Sequence, residues 1–147
     1  MKYPLILFVF IAGSLFSCKK KDAPGSPEIF NVTALSVNGL SASAYYNIGY
    51  TPQIKLTFSA PVNKTLVEND VLLRMNGTSI VAVNYTYQNG DSCILLQPQA
   101  ALNPLTKYII SVTSQFQSAH NTTIQTTYNT TFITKIDSAN KFPVIPD

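Results

Sequence analysis

Two Asn-Gly pairs between strand-like runs constrain the fold of this chain more than any other feature. Asn76-Gly77 separates VLLRM from SIVAV, and Asn89-Gly90 separates VNYTY from SCILL. A two-residue hairpin turn requires positive φ angles, which asparagine and glycine adopt at little cost. The sequence therefore predicts two β-hairpins, each closed by a two-residue turn.

The segments around these hairpins also have the pattern of β-strands. IKLTF, residues 54–58, alternates apolar and polar side chains, which is the period of a strand with one buried face. IISVTS and TTYNTTFIT supply the last two strands, whereas NKTLVEND predicts one helical turn capped at Asn63 or Thr65. Short strands separated by turns predict an all-β fold, namely a single immunoglobulin- or fibronectin-III-like antiparallel β-sandwich.

A tyrosine corner is predicted just before the strand IISV. The pattern L-x-P-x-T-x-Y is formed there by Leu102, Pro104, Thr106 and Tyr108. In immunoglobulin-like sandwiches a tyrosine at this place bonds through its hydroxyl to the backbone a few residues upstream. The leucine would fill the core beneath the corner, and the proline would stiffen the turn by fixing φ. Tyr108 is therefore interpreted as a structural clamp and not as a catalytic phenol.

The first residues have the layout of a cleaved secretory signal. Lys2 precedes an apolar run of about fourteen residues, whereas a membrane-spanning helix needs about 20. The run ends in LFSC, residues 15–18, which resembles the bacterial lipobox. That resemblance implies cleavage before Cys18 and attachment of a diacylglycerol to its sulfur. An ordinary signal peptide with an incidental cysteine is the alternative.

The basic charge of the chain is concentrated beside this cysteine. The whole chain carries +3, and Lys2 with residues 19–21 accounts for four of its ten basic residues. From Asp22 onward six basic residues stand against seven acidic ones, a net charge of −1. Lysines beside a lipid anchor attract anionic headgroups. The pattern therefore predicts a membrane partner through the lipid anchor, and no nucleic-acid partner.

These features divide the chain into four predicted segments. KDAPGSPE is rich in Pro, Gly and Ser and is interpreted as a flexible tether. KIDSANKFPVIPD, after the last strand, resembles a linker into a further catalytic or glycan-binding module. The predicted boundaries are 1–17 for the signal peptide, 18–27 for the lipidated cysteine and tether, 28–134 for the sandwich and 135–147 for the linker-like tail.

A family resemblance follows from four motifs taken in order. LTFSAPVN, ILLQPQAALNPLTKYIISV, SAHNTTI and TTFIT resemble the bacterial Ig-like domain first described in surface-layer proteins. The resemblance covers about residues 52–134. It departs from the family pattern at His120, since the family usually has glycine before the residue that corresponds to Asn121. The resemblance implies a spacer or accessory module of bacterial surface proteins, a type of domain that is seldom catalytic.

Residues able to carry chemistry are few and scattered. The chain has one histidine and seven carboxylates, and their spacing matches neither a metal site, a nucleophilic triad nor a pair of acids for glycoside hydrolysis. With Cys18 lipidated, Cys93 would lack a disulfide partner, and it is predicted to be a small, partly buried apolar residue. We therefore predict no catalytic residue, no metal site and no cofactor, with His120 as a loop residue.

Tyrosines provide a binding hypothesis. Tyr45, Tyr46 and Tyr50 in SAYYNIGY are predicted to form an exposed aromatic platform, because such rings can stack on sugars. The predicted ligand is a polysaccharide or a surface protein. Tyr85 and Tyr87 lie on one face of a hairpin strand and are interpreted as cross-strand pairing residues.

The sequence as a whole predicts a lipid-anchored, non-catalytic module in the cell envelope of a Gram-negative bacterium, at the outer membrane. Its expected role is that of a spacer or accessory domain in a surface polysaccharide-handling system. One alternative is an adhesin that binds glycan or protein through the tyrosines. The other is the N-terminal part of a larger glycoside hydrolase lipoprotein. Asp137-Ser138-Ala139 also resembles an O-glycan acceptor, which would place the sugar on Ser138.

Overall fold

Two β-sheets packed face to face make up the described part of the chain. The computed structural model describes residues 28–42 and 44–137. The predicted signal peptide, Cys18, the tether up to residue 27, Ser138 and the remainder of the tail lie outside these residues. In the part that is described, no helix is long and apolar enough to cross a bilayer. The predicted all-β sandwich is confirmed.

Short strands with turns between them account for nearly all regular structure in residues 28–42 and 44–137. A 3₁₀ turn, Lys64–Leu66, leads directly into the short helix α1, Val67–Asp70. The strands are β1 Val32–Val37, β2 Tyr45–Ile48, β3 Ile54–Phe58, β4 Val71–Met75, β5 Ser79–Ile80, β6 Val83–Gln88, β7 Cys93–Pro98, β8 Lys107–Val112 and β9 Tyr128–Thr134.

The chain crosses between the sheets several times. The first sheet has the strand order β1-β3-β7-β6, and the second has the order β2-β9-β8-β4-β5. Every pairing is antiparallel except that of β2, which runs parallel to β9. The expected antiparallel sandwich is therefore mixed at one edge, because the chain passes from β1 to the second sheet and runs there in the same direction as β9.

The first predicted hairpin joins β4 to β5 through a loop one residue longer than expected. Asn76 and Gly77 have φ angles of 51° and 83°, and the Thr78 N–H donates to the Met75 carbonyl at 3.2 Å. Met75 pairs with Ser79, so three residues lie between the paired positions. The turn has the predicted dihedral angles, but the two-residue loop length is wrong because Thr78 follows the turn unpaired.

The second predicted hairpin joins β6 to β7 through four residues. Gln88 pairs with Cys93, and Asn89, Gly90 and Asp91 all have positive φ angles between 52° and 66°. Both the backbone N–H and the hydroxyl of Ser92 donate to the Asn89 carbonyl, at 3.4 and 2.8 Å. These bonds place Gly90 and Asp91 at the centre of the turn, one residue later than predicted. The two-residue loop is wrong here as well.

The predicted burial of one face of β3 is confirmed, and Cys93 on the neighbouring β7 is more deeply buried than predicted. Ile54, Leu56 and Phe58 are buried, and the residues between them are half-buried. Cys93 on β7 is fully buried and has no disulfide partner among the described residues. The helical turn in NKTLVEND is also confirmed, and Asn63 is its cap.

Aromatic rings fill the core at both ends of the sandwich. At the end where the chain enters, Phe30, Phe58 and Phe116 lie with ring centroids 5.4–5.7 Å apart. We call this the entry end. At the opposite end Tyr108 stacks on Phe132 with centroids 5.3 Å apart, and this end is the exit end. All five rings are at most 3% exposed.

The exit end contains the L-x-P-x-T-x-Y segment. Tyr108 is 1% exposed, and its hydroxyl oxygen accepts the backbone N–H of Asn103 at 2.9 Å. Leu102 is buried beneath the turn, and the Thr106 hydroxyl donates to the Pro104 carbonyl at 2.7 Å. These are the contacts expected of a tyrosine corner between β7 and β8.

Thr134, at the end of β9, bonds to the same segment from the other side. Its hydroxyl donates to the Asn103 carbonyl at 2.6 Å and accepts the Thr106 N–H at 2.9 Å. Thr134 is 1% exposed, so these bonds are shielded from water. The backbone N–H and carbonyl of Asn103 are therefore both hydrogen-bonded, the first to Tyr108 on β8 and the second to Thr134 on β9. The L-x-P-x-T-x-Y motif alone does not predict the bond to Thr134.

The corner gives a stability prediction. Tyr108→Phe removes the hydrogen bond that the buried Tyr108 side chain makes to the Asn103 N–H, and it should lower the free energy of unfolding by about 1–2 kcal/mol. Tyr46, which is 69% exposed, provides the matched control, and Tyr46→Phe should change it by less than ~0.5 kcal/mol. Urea denaturation of the two variants measures both values. Equal stability of Tyr108→Phe and the wild type would show that the hydroxyl bond contributes nothing to the corner.

Candidate functional site

The predicted platform of three exposed tyrosines is not formed, because Tyr45 belongs to the core. Tyr45 is 4% exposed, and its hydroxyl donates to the Leu35 carbonyl at 3.1 Å and accepts the Ala42 N–H at 3.2 Å. The prediction of Tyr45 as an exposed ligand-binding residue is therefore wrong. Its segment is the strand β2, in which Asn47 has a φ of 57° and Tyr45 and Ile48 face inward three residues apart. That kink removes the alternation by which a strand is recognised.

Tyr46 is the member of the trio that faces solvent. It is 69% exposed and borders a shallow depression of about 230 Å³ on the outer face of the second sheet. Lys107, Thr131 and Ile133 line the same depression. An aromatic ring beside a hydroxyl and an ammonium group is a combination that can contact a sugar through stacking and hydrogen bonds.

Tyr50 is half-buried and already has a partner on its ring. The Lys135 ammonium lies 5.1 Å from the ring centroid, a cation–π contact between the β2–β3 connection and the residue after β9. The hydroxyl is buried and has no hydrogen-bond partner among the described residues. Burial, followed by the nearby Asp137 carboxylate, raises the pKa of Tyr50. Tyr50 therefore does not join Tyr46 as a free stacking surface.

Tyr85 and Tyr87 on β6 lie opposite Leu96 and Ile94 on β7, the cross-strand pairing predicted for them. The Tyr85 hydroxyl donates to the Val71 carbonyl at 2.7 Å. Burial, with a smaller contribution from Glu68, raises the pKa of Tyr85 to about 12. The Tyr85 side chain therefore ties β6 to the start of β4.

The histidine of this chain pairs with a carboxylate at the entry end. His120 is 71% exposed in the loop between β8 and β9, as predicted, and its Nδ1 lies 2.8 Å from Glu28 Oε2. Hydrogen bonding from His120 lowers the pKa of Glu28, with further help from Ser118 and against the effect of burial. We call Glu28, Ser118 and His120 the Glu28 clamp.

The Glu28 clamp has the residue types of a nucleophilic triad but not its accessibility. Ser118 is 0% exposed, and its hydroxyl oxygen accepts the backbone N–H groups of His120 and Thr122, each at 3.2 Å. A nucleophile must reach a substrate carbonyl, which this oxygen cannot do. The clamp fixes the first described residue to the β8–β9 loop.

The other carboxylates near the core have separate structural partners. Asp70 accepts the Thr113 hydroxyl, and Asp91 forms an ion pair with Lys64 at 2.7 Å. In residues 28–42 and 44–137, no group of three or more His, Cys, Asp or Glu side chains is placed to hold a metal ion.

Comparison with known families identifies the fold built by these contacts. The family model described as the bacterial Ig-like domain matches residues 31–134, which is most of the chain. The chain belongs to the bacterial Ig-like domain family. The resemblance drawn from the four sequence motifs is confirmed. No curated protein sequence matches the chain.

Solved structures share this Ig-like fold at low sequence identity. Native α2-macroglobulin from Escherichia coli matches 76% of this chain with a TM-score of 0.55 and 16% identity, and the match covers 6% of that chain. PcoC, a methionine-rich copper resistance protein from E. coli, matches 74% with a TM-score of 0.52 and 20% identity over 100% of its own length. Domains 1–6 of the surface layer protein SbsC match 74% of this chain with a TM-score of 0.50 and 14% sequence identity. That match covers 14% of the SbsC chain.

The Ig-like domain accommodates its departure from the family pattern at residue 120. In the turn that begins at Ser118, the Asn121 N–H donates to the Ser118 carbonyl at 3.0 Å, and Asn121 has a φ of 64°. The left-handed conformation thus falls on Asn121, a residue type that tolerates it. His120 stays outside that region, so no glycine is required there.

The Glu28 clamp predicts how stability depends on pH. A carboxylate whose folded-state pKa is depressed stabilises the fold above its unfolded-state pKa, and that contribution is lost as the pH falls through the folded-state value. The melting temperature of the wild type should therefore decrease when the pH is lowered below 4.5, the ordinary pKa of a glutamate such as Glu28. Glu28→Gln should show a smaller fall over the same range. Parallel curves for the two proteins, measured by circular dichroism, would show that the clamp does not contribute.

Proposed function

We propose that this Ig-like domain is a lipid-anchored, non-catalytic spacer of the bacterial cell envelope. In this role it holds an accessory or following module of a surface polysaccharide-handling system away from the outer membrane. The proposal joins the lipobox at Cys18 to the family of the folded part, whose members are typically non-catalytic. The observation that carries it is the path of the chain through the sandwich.

The chain enters and leaves the sandwich at opposite ends. Before β1, the Phe30 carbonyl accepts the Gln125 N–H, which places residue 30 beside the segment that precedes β9. β9 then runs the length of the second sheet, and its last residue, Thr134, lies at the corner of the exit end. Seven residues of strand span about 23 Å. Entry and exit are therefore separated by about the length of the domain.

Residues at both ends of the described segment are fastened to the body of the sandwich. At entry, Glu28 is held by His120, and the Ser59 hydroxyl donates to the Ile29 carbonyl at 2.7 Å. At exit, the Lys135 N–H donates to the Ile48 carbonyl at 2.8 Å. These bonds make residues 28–135 one firmly connected segment, so a module that follows it is separated from the end of the flexible tether by about the length of the domain.

Two of the matched structures are consistent with a modular role. The aligned region is 6% of E. coli α2-macroglobulin and 14% of SbsC, so this chain spans a small part of those proteins. The fold therefore occurs as one segment of long chains. The surface layer in the name of SbsC is an extracellular setting, which supports placing this domain outside the cytoplasm.

The height of the two ends above the membrane tests the spacer. Ile29 and Ile136 are exposed to nearly the same extent, 59% and 60%, and a cysteine at either can carry a donor fluorophore. In outer-membrane vesicles with an acceptor dye in the headgroup layer, energy transfer should be strong from residue 29 and much weaker from residue 136. The physical reason is a difference in height of about 23 Å. Equal transfer would mean that the domain lies flat, which contradicts the spacer.

The anchor has its own control in this experiment. Cys18→Ala removes the thiol that would accept the diacylglycerol, and it should abolish vesicle association and energy transfer at both positions. Retention of the variant on vesicles with acyl labelling would contradict the lipobox. Failure of the anchor is therefore distinguishable from failure of the spacer, because the latter leaves transfer equal at both sites.

A second candidate function is glycan binding at Tyr46, favoured by its 69% exposure beside the depression with Lys107 and Thr131. Here Tyr46→Ala should abolish the retardation of the chain in polysaccharide affinity gels, because a stacked ring carries a large share of binding energy. Leu40, 68% exposed, provides the control Leu40→Ala, which should migrate like the wild type. Absence of wild-type retardation on every polymer tried would leave the spacer alone.

A further inference from the structure

The edge strands of the two sheets differ in how they are protected against pairing. An open edge presents unpaired N–H and C=O groups, and proteins shield such edges with short strands, bulges, charges or proline. Among the described residues, β5 has only two residues, and β2 is kinked at Asn47 and shifts register against β9. β1 has a register shift near Thr33, and the Leu35 carbonyl accepts the Tyr45 hydroxyl.

The remaining edge strand, β6, has none of these protections. VNYTYQ contains no charged residue and no proline. It pairs with β7 in unbroken register from Val83 opposite Pro98 to Gln88 opposite Cys93. Asn84, Thr86 and Gln88 are exposed along its length. β6 is therefore a regular, uncharged six-residue edge.

The hydrogen-bond pattern shows which groups of β6 face away from β7. The Gln99 N–H donates to the Ala82 carbonyl at 3.0 Å, so residue 82 is in a hydrogen-bonded pair. Hydrogen-bonded and non-hydrogen-bonded pairs alternate along an antiparallel ladder. The backbone groups of residues 84, 86 and 88 therefore also bond to β7. On the other side of β7, the Phe58 N–H donates to the Ser92 carbonyl, so the even-numbered residues of β7 bond to β3 and the odd-numbered ones to β6.

The backbone groups of Val83, Tyr85 and Tyr87 consequently point to the open side. The Val83 carbonyl accepts the Gln99 side-chain amide at 3.4 Å. No described residue donates to or accepts from the backbone of Tyr85 or Tyr87 on that side. An added strand could therefore make a symmetric set of backbone bonds around Tyr85.

We propose that β6 pairs antiparallel with β6 of a second copy of this chain. Centred on Tyr85, this register places Tyr85 opposite the partner's Tyr85, and Asn84 opposite the partner's Thr86. The contact is closed by a twofold axis, so that each copy uses the same surface. A parallel arrangement of two identical strands cannot satisfy both copies equally, because parallel bonding offsets the two strands by one residue.

Charges beside the strand favour a second copy in this orientation. The Lys64 ammonium lies 5.0 Å from the Tyr87 ring centroid, while the exposed Glu68 borders a depression with Tyr85 and Val83. Antiparallel pairing brings Lys64 toward the partner's Glu68, whereas like charges would meet if the strands ran parallel. Lys64 also retains its ion pair with Asp91.

Disulfide trapping tests the register. The full chain carries Cys18→Ala, so that Cys93, which is fully buried, is the one native thiol left. In the proposed register, residues 84 and 86 of opposite copies form a non-hydrogen-bonded pair with Cβ atoms about 4.5–5.5 Å apart. Asn84→Cys mixed with Thr86→Cys should therefore cross-link at least tenfold faster than either variant alone. Equal rates in all three samples would overturn the register.

Sedimentation of the full chain in detergent tests the association itself. The wild type should shift from monomer to dimer with rising concentration, and Thr86→Lys should weaken this association at least tenfold by placing a charge on the edge. The matched control is Thr131→Lys, on the exposed face of the other sheet, which should dimerise like the wild type. A wild type that stays monomeric up to millimolar concentration would overturn the proposal, as would a Thr86→Lys variant that dimerises normally.

Discussion

Two hydrogen bonds to the backbone of Asn103 are the constraint on which the rest of the sandwich depends. The N–H of Asn103 is bound by the Tyr108 hydroxyl and its carbonyl by the Thr134 hydroxyl, at 2.9 and 2.6 Å. Here the chain crosses from β7 in the first sheet to β8 in the second, and here β9 ends. Both bonds are partly buried, and the geometry that satisfies them together holds the crossing segment against β8 and β9. That geometry fixes where the chain leaves the domain.

The sequence predicted half of this arrangement because half of it is local. Tyr108 lies five residues after Asn103, and a tyrosine corner is recognisable from residues within one turn. Thr134 reaches the same carbonyl from 31 residues away, and a single threonine in a Thr-rich strand carries no pattern that marks it. TTFIT is one of the four family motifs, but the hydrogen bonds of its last residue, Thr134, depend on the pairing of β9 with β8.

The same distinction between local and long-range contacts explains the errors. Asn-Gly pairs correctly predicted left-handed turns, but the loop length depends on where the flanking strands pair, as Ser92 shows by bonding back to Asn89. A third pair, Asn38-Gly39, closes a similar turn after β1, with φ angles of 52° and 78°, and the same signal could have identified it. The burial of Tyr45 cannot be read from the sequence, because Asn47 interrupts the alternation of β2 and the hydrogen-bond partner of Tyr45, Leu35, lies on another strand.

The two proposals restrict each other through geometry. An upright spacer has its entry end toward the membrane and its exit end away from it. Antiparallel pairing of β6 inverts one copy relative to the other, because the twofold axis lies perpendicular to the strands. Two upright copies anchored in one bilayer therefore cannot pair through β6, whereas copies on facing surfaces can. If both proposals hold, the spacer orientation keeps neighbours on one membrane apart, and the open edge of β6 is left to a copy on an opposing surface.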